Sequence, residues 1–237
     1  MHTNYLLRRT HRWLGVTIGI QFLAWTLGGL YFSWSDMDEV HGDYEKRPPA
    51  LLAVSAPYIA PATALLSERV DSLAGLQLVS ILGKPTWQIA YVEKGHAHHH
   101  KKIRLADALT GALRPPLSQN EALAVARDAY AGKGIVKSVA YLTAADSHHE
   151  YREAPLPAVA VTFDDARRTT VYVATELGTV QKVRNRPWRR FDFLWMLHTM
   201  DYAGRDNITN WLLRAFSVLG LATVGSGFVL FFISRKR

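Results

Sequence analysis

The chain has 237 residues, a formal net charge of +8 and no cysteine, and its length fits one medium domain or two small ones. Without cysteine it has no disulfide framework, thiol nucleophile or iron–sulfur cluster. Its lysines and arginines cluster beside apolar runs, a placement that favours contact with anionic lipid head groups and argues against nucleic-acid binding.

The first element is an uncharged run of 22 residues from Trp13 to Trp34. A helix of this length spans about 33 Å, enough to cross a bilayer, and the tryptophans at its ends are typical of interfacial anchors. A signal peptide is the alternative, but the residues that follow contain no Ala-x-Ala cleavage pattern. We therefore predict a cytoplasmic N-terminus over residues 1–12 and a transmembrane helix over 13–34.

The middle of the chain is predicted to form a linker over 35–60 and then two similar units over 61–117 and 118–186. The pattern of each unit predicts one helix followed by a three-stranded antiparallel sheet, because apolar runs of strand length are separated by glycine and proline turns. Equivalent points in the two units lie about 70 residues apart, which indicates an internal duplication.

In the first unit, a short helix from Pro61 to Val70 is predicted to precede strands in GLQLVSIL, TWQIAYVE and KKIRLADALTGAL. Gly111 is expected at a turn position that needs positive φ. In the second unit, Ser118 and Glu121 form a capping-box pattern at the start of a helix that is expected to close at Gly132. Its strands are predicted in GIVKSVAYLT, PAVAVTF and RTTVYVATELGTV.

The end of the chain repeats the pattern of its beginning. The stretch 187–210 contains FDFLWMLHTMDY, whose helical spacing of apolar residues predicts an amphipathic segment at the membrane surface. Residues 211–233 predict a second transmembrane helix, with a cytoplasmic tail over 234–237. Basic residues flank both spans on the side away from the middle of the chain, which places both termini in the cytoplasm: Arg8, Arg9, Arg12, Arg235, Lys236 and Arg237.

Small residues recur along both predicted spans. Gly15 and Gly19 form a G-x-x-x-G pair in the first, and Gly220 and Gly225 supply small residues in the second. Because glycine lets backbones approach closely in lipid, these positions predict helix packing within the chain, in a homodimer or with another membrane protein.

Three stretches resemble the PepSY family and its associated transmembrane proteins. THRWLGVTIGI…LGGLYFSW resembles their opening helix, the Leu-His pair of LWMLHTM with the glycine-rich run after it resembles a later segment, and VYVATELGTV resembles the last strands of a PepSY domain. The resemblance implies an α+β membrane protein of the bacterial inner membrane, in which two transmembrane helices flank a duplicated PepSY-like domain in the periplasm. In some relatives this domain is suggested to inhibit a protease.

The same resemblance implies a candidate cofactor. Larger relatives with four membrane helices include haem-binding reductases linked to iron–siderophore uptake, so b-type haem is the candidate cofactor, with His11 and His198 as candidate axial ligands. The predicted topology separates these histidines by about 30 Å, so they cannot ligate one iron within one chain. A homodimer could pair like histidines, and His41 is a candidate partner for His198. The alternative is that His11 contacts head groups and His198 is a polar point on a surface helix.

Two histidine-rich stretches, GHAHHHKK and DSHHEYRE, are candidate metal sites. Imidazoles at this density can bind zinc, copper or nickel. The alternative is that each stretch is a solvated turn between strands, because a hairpin tip does not supply fixed ligand geometry. The candidate ligands are His96, His98, His99, His100, His148 and His149.

The sequence contains none of the common hydrolase or nucleotide-binding motifs, G-x-S-x-G, H-E-x-x-H and the P-loop among them. We therefore expect an accessory or binding protein of the inner membrane with no catalysis of its own, which contacts the bilayer and a membrane-protein partner or a second copy. The rival expectation is a haem-bearing redox component, a haem-dependent membrane oxidoreductase that passes electrons toward ferric siderophores or other metal substrates.

Overall fold

A computed structural model describes residues 2–61, 70–93 and 101–234 of the chain. They belong to two compact units: a helical unit, Met1–Asp36 with Arg189–Arg237, and a sheet unit, Met37–Trp188. The fold is α+β, with two long apolar helices at the ends of the chain and two four-stranded antiparallel sheets between them in sequence.

The helices and strands follow one another in a simple order. The five helices of the described residues are α1 (His2–Trp34), α2 (Met37–His41), α3 (Gln119–Ala129), α4 (Arg186–Thr199) and α5 (Trp211–Ser234). The first sheet contains β1 (Val70–Ile81), β2 (Lys84–Glu93), β3 (Lys101–Asp107) and β4 (Leu113–Arg114). The second sheet contains β5 (Ile135–Leu142), β6 (Ala158–Asp164), β7 (Thr170–Ala174) and β8 (Thr179–Arg184).

In the helical unit, α1 and α5 are both long and apolar enough to cross a membrane. Gly220 lets α5 approach α1 closely, because a Cβ at that position would lie 3.1 Å from the Phe22 ring and 3.9 Å from Ile18. Ile18 is fully buried at this contact. By contrast, a Cβ at Gly15, Gly19 or Gly225 would meet nothing within 4 Å. The close approach within the chain therefore uses Gly220 and leaves those three glycines open.

The sheet unit is built from antiparallel meanders whose tight turns need left-handed backbone. The β1–β2 hairpin turns through Leu82 and Gly83, with φ of 52° and 76°, and positive φ at both central residues is the pattern of a two-residue type I′ turn. Gly111 and Gly178 turn the chain into β4 and β8, with φ of 73° and 70°. Each of these glycines occupies a conformation that other residues adopt at a cost.

One hydrophobic core joins the two sheets and α3. Ile81 and Leu105 from the first sheet pack in the same cluster as Val161 and Val173 from the second and Val125 from α3. Each such aliphatic side chain contributes about 1.5–3 kcal/mol when it is fully buried. The two halves of the sheet unit are therefore expected to depend on one another for stability.

Part of the stretch predicted as a linker is folded onto the second half of the sheet unit. After α2, a 3₁₀ turn over Asp43–Glu45 leads into Lys46, which forms an isolated bridge with Tyr130. The buried Asn185 side chain donates from Nδ2 to the Glu39 carbonyl oxygen at 2.7 Å and to Glu45 Oε2 at 3.1 Å. These hydrogen bonds anchor Glu39 and Glu45 to Asn185, and they therefore fix the position from which the chain continues at Lys46.

The sequence expectations are partly confirmed. The strand-rich halves, the positive φ of Gly111 and the capping box of Ser118 and Glu121 are all present. The prediction of three strands per sheet is wrong, because the chain returns after each glycine turn as a fourth strand, β4 or β8. The helix ends at Ala129 and not at Gly132, since Tyr130 is already extended and pairs with Lys46. The predicted Pro61–Val70 helix falls mostly on residues 62–69, which lie outside the described residues.

Candidate functional site

A cleft of about 730 Å³ opens between the two sheets of the sheet unit. One wall is the end of β1 and the other is the β7–β8 turn with the start of β8. The end of α3 and the extended segment 46–52 complete the lining. Val79, Val125 and Val180, which pack on or in the shared core, are among the lining residues. The cleft is thus an opening onto the core with an apolar floor.

The β1 wall presents free backbone groups. In an antiparallel ladder, hydrogen-bonded and non-hydrogen-bonded pairs alternate. Ser80 lies opposite Pro85, which has no N–H and whose carbonyl oxygen accepts from Ala108 N at 3.0 Å. The Ser80–Pro85 pair is therefore not hydrogen-bonded, and neither is Leu78–Trp87 two positions away. The N–H and C=O groups of Leu78 and Ser80 consequently point outward, along the free edge of β1.

The other sheet edges in the described residues are interrupted or charged. Both outer strands of the second sheet are irregular, β5 between Val136 and Ser138 and β8 opposite the step from Tyr172 to Val173. The first half of β1 carries two register shifts, before Ser72 and before Gly75. Bulges of this kind disrupt edge pairing, as do short strands and lysines. On the opposite side of the first sheet, β4 has two residues and β3 begins with two lysines.

The end of β1, over 77–81, is a regular and open part of an edge, as is β5 over 138–142. In this part of β1 the alternate side chains, Val79 and Ile81, pack with the shared core. The same stretch of β1 forms one wall of the cleft.

The β8 wall offers amide and hydroxyl groups that are fixed in place. Gln88 Nε2 donates to the Leu177 carbonyl oxygen at 2.6 Å, which ties β2 to the β7–β8 turn. Gln181 Nε2 donates to Thr179 Oγ1 at 2.8 Å and to its carbonyl oxygen at 3.2 Å. These bonds leave the side-chain carbonyl oxygens of Gln88 and Gln181 as acceptors in the cleft lining.

The mouth of the cleft is more positive than negative. Its charged lining residues are Lys46, Arg47 and Asp128. Arg47 is fixed by its backbone N–H, which donates to the Ala129 carbonyl oxygen at 2.7 Å, and by its guanidinium, which donates to the Asp128 carbonyl oxygen at 3.1 Å. Both cations are exposed, so they can meet an anionic group that enters the cleft.

A polar network holds the base of α3 beside this mouth. Tyr130 stacks on Phe163 at 3.8 Å between ring centroids and donates its hydroxyl proton to Asp165 Oδ2 at 2.8 Å. Burial, with the Asp165 carboxylate beside it, raises the pKa of Tyr130 to about 12. Burial acts to raise the pKa of Asp165, but hydrogen bonds from the Thr169 hydroxyl and backbone N–H outweigh it, so that this pKa is lowered. The carboxylate is therefore stabilised in its ionised form at neutral pH.

In the helical unit, His11 is held by a relay of hydrogen bonds. Its Nδ1 lies 2.7 Å from Ser226 Oγ, and that hydroxyl donates to the Thr223 carbonyl oxygen at 2.8 Å. Because the hydroxyl proton is used, Nδ1 is assigned as the protonated nitrogen and Nε2 keeps a free lone pair. Gly227 leaves room beside the ring, since a Cβ there would lie 3.3 Å from His11 Cε1.

His198 lies in an aromatic cluster at the other end of α1. Its ring is close to Trp25, Phe32 and Trp195, with centroid distances of 5.8 to 6.3 Å. A Cβ on Gly28 would lie 4.0 Å from His198 Nδ1. Within the described residues this Nδ1 is buried and has no hydrogen-bond partner.

The two predicted haem ligands do not form one site in a chain. His11 and Gly28 are 17 positions apart on α1, which corresponds to about 26 Å along the helix. A haem ligated through Nε2 needs an acceptor for the Nδ1 proton. His11 has one in Ser226, whereas the buried Nδ1 of His198 has none in the described residues. The pair therefore does not fit a single bis-histidine haem.

The histidine-rich tips divide between described and undescribed residues. His96, His98, His99 and His100 lie outside the described residues. His148 and His149 belong to a turn in which the Asp146 carboxylate accepts from both of their backbone N–H groups. His149 Nδ1 accepts from Tyr151 N at 3.0 Å, which occupies one of its two ring nitrogens. Among the described residues no group of three or more His, Asp or Glu side chains could hold a metal ion.

No protein-family model, curated protein or solved structure matches the chain. The geometry of the two units is therefore the basis for a proposed function. The cleft residues are the ones that sequence reasoning missed. The glycine turn between β1 and β2 was predicted from the sequence, but the bulges in the edge strands have no sequence signature of their own.

Proposed function

We propose that the chain is a membrane-anchored binding protein, in which two terminal helices tether a sheet unit whose cleft holds a partner. The observation that carries this proposal is the cleft of about 730 Å³, which is lined by valines that pack in or on the shared core and by a regular strand edge. Globular proteins usually close such edges. A regular free edge beside apolar side chains therefore indicates a surface that a binding partner covers.

The membrane part of the proposal rests on the outward faces of α1 and α5. Large apolar side chains on both helices are exposed, including Ile20 and Leu23 on α1 and Leu221 and Phe228 on α5. Such surfaces would not be tolerated in water over this length. With arginines at positions 8, 9 and 12 in the first third of α1, the positive-inside rule favours cytoplasmic termini and a sheet unit in the periplasm of a bacterial inner membrane.

A PepSY-like assignment of the sheet unit belongs to the same proposal. Its support is the duplicated arrangement itself, a meander of four strands that occurs twice and ends each time in a glycine turn and a final strand. On this interpretation the unit binds and does not catalyse, and its partner is a polypeptide.

A haem-bearing redox component is the second candidate, and one observation favours it. The Nδ1–H of His11 is oriented by Ser226 and its Nε2 is free, which is the arrangement of an imidazole prepared for iron. The distance between His11 and His198 opposes a site within one chain, so the second imidazole would come from His11 of another copy.

Absorption spectroscopy separates the two candidates. The full chain, purified in mild detergent from haem-replete cells, is recorded oxidised and then reduced with dithionite. The binding protein is expected to be colourless. A Soret band with a sharp α-band that disappears in His11→Ala would overturn that proposal in favour of the redox component. His148→Ala serves as the matched control, since that histidine lies in the sheet unit.

A further inference from the structure

We propose that the cleft binds an extended polypeptide segment, about five residues long with an acidic residue at one end, that pairs as an added strand with the free edge of β1. This inference rests on the proposed binding function and names the class of its partner. Strand addition to a sheet edge is an established mode of peptide recognition, in which main-chain hydrogen bonds give affinity and alternate side chains give specificity.

The free edge of β1 has the hydrogen-bonding groups that an added strand needs. Leu78 and Ser80 direct two N–H and two C=O groups outward, since their partners Trp87 and Pro85 form non-hydrogen-bonded pairs. Within the described residues, no backbone or side-chain group bonds to these four. Unpaired backbone groups that border an apolar floor are costly, so an added strand is stabilised by satisfying them.

The cleft also has the size of one short strand. An added strand needs about 4.8 Å of width, 3.3 Å of length per residue and 10 Å of depth with its side chains, or about 160 Å³ per residue. A cleft of 730 Å³ therefore holds about five residues on this estimate, which matches the regular edge over 77–81. With β8 as the opposite wall, the space fits one strand better than the sheet of another folded domain.

The side chains that line the cleft indicate which residues the segment carries. Val79, Val125 and Val180 line the floor, so aliphatic side chains at alternate positions of the segment would be buried there. Lys46 and Arg47 at the mouth, against the single carboxylate of Asp128, favour an acidic residue at that end of the segment.

The test uses the full chain in detergent and a fluorescein-labelled heptapeptide that alternates threonine with valine and ends in glutamate. Fluorescence anisotropy gives its Kd for the natural chain and for variants whose circular dichroism is unchanged. Ser80→Pro removes an outward N–H without touching the β1–β2 ladder, and proline is tolerated at such edge positions. Ser80→Ala is the matched control, because it removes the hydroxyl and keeps the N–H.

We expect Ser80→Pro to weaken binding by about 10-fold, the upper range for one hydrogen bond, and Ser80→Ala to leave it within about 2-fold. Exchanging the terminal glutamate for lysine should weaken binding to the natural chain and strengthen it to a Lys46→Glu, Arg47→Glu variant. If Ser80→Pro does not fold, hydrogen exchange of the natural chain provides the test. The backbone amides of 77–81 should exchange more slowly when the peptide is added.

Three results would overturn the inference, and only the second of them also removes the cleft as the binding site. If Val180→Trp, which fills the cleft floor, abolishes binding while Ser80→Pro does not, the cleft binds its partner without strand pairing. If the peptide does not bind, or all variants bind it equally, both the inference and the cleft as binding site are wrong. Light scattering gives the molecular mass of each variant. If the mass of Ser80→Pro is half that of the natural chain, the edge of β1 pairs with a second copy, and the proposed peptide partner is wrong.

Discussion

Replacing Gly178 by alanine tests whether the two sheets share one core. Gly178 lies in the β7–β8 turn with φ of 70°, and an added Cβ would clash with Ile81 Cδ1 and lie 3.4 Å from Leu105 Cδ1. Both neighbours belong to the first sheet, whereas the turn belongs to the second. The substitution therefore lowers stability in two ways. Alanine is strained in a left-handed conformation, and its Cβ clashes with side chains of the other sheet.

Gly83→Ala is the control that separates these two costs. Gly83 has nearly the same backbone, with φ of 76°, but nothing lies within 4 Å of the added Cβ. A single left-handed alanine costs about 1 kcal/mol, and overpacking a core costs about 1–3 kcal/mol more. Gly83→Ala should thus lower the free energy of unfolding by about 1 kcal/mol and Gly178→Ala by about 2–4 kcal/mol.

Thermal unfolding of the full chain in detergent, followed by near-ultraviolet circular dichroism, measures the difference. For a unit of this size, each kcal/mol shifts Tm by about 2–4 °C, so Gly178→Ala should lose about 4–16 °C and Gly83→Ala about 2–4 °C. Equal shifts for the two variants would refute the reasoning, because they would mean that Ile81 and Leu105 do not pack against the turn of the second sheet.

Three further predictions concern single contacts. The lowered pKa of Asp165 contributes stability above the ordinary carboxyl pKa that is lost as the pH falls through its folded value. Asp165→Asn should therefore destabilise the sheet unit by about 1–3 kcal/mol at pH 7, and urea unfolding at pH 3 should show a smaller difference. Gly220→Leu should lower the Tm of the helical unit, whereas Gly225→Leu, in open space, should not. Nitrogen-15 NMR should find His11 protonated at Nδ1, a preference that Ser226→Ala removes.

Local signals in the sequence were sufficient for most of the elements. The Ser118–Glu121 pattern predicted the start of α3, and Gly111 predicted a left-handed turn, because both depend on neighbours within a few residues. The length and composition of α1 and α5 likewise follow from uninterrupted apolar runs. These features are local, so no long-range contact is needed to find them.

The features that could not be predicted from the sequence depend on contacts between residues far apart in the chain. The end of α3 depends on the bridge between Lys46 and Tyr130, which are far apart in the chain. The fourth strand of the first sheet has two residues, too few for a pattern. The cleft depends on how the end of β1 and the start of β8 lie across the shared core, and this long-range arrangement is not encoded in a short stretch of residues.

The haem hypothesis illustrates the same limit. The sequence predicted that His11 and His198 lie too far apart to share one iron. It did not reveal that Ser226 orients the His11 ring while the buried Nδ1 of His198 has no partner in the described residues. Those facts depend on how α5 and α4 lie against α1, which packing decides.

Cysteine labelling tests the central claim, that the terminal helices anchor the sheet unit on the outer side of the membrane. The natural chain has no cysteine, so Ser55→Cys and Thr10→Cys each introduce one exposed thiol, the first in the sheet unit and the second near the start of α1. In spheroplasts of a Gram-negative host, a membrane-impermeant maleimide should label Ser55→Cys directly and Thr10→Cys only after permeabilisation. The reverse pattern, or labelling of both thiols without permeabilisation, would contradict the account.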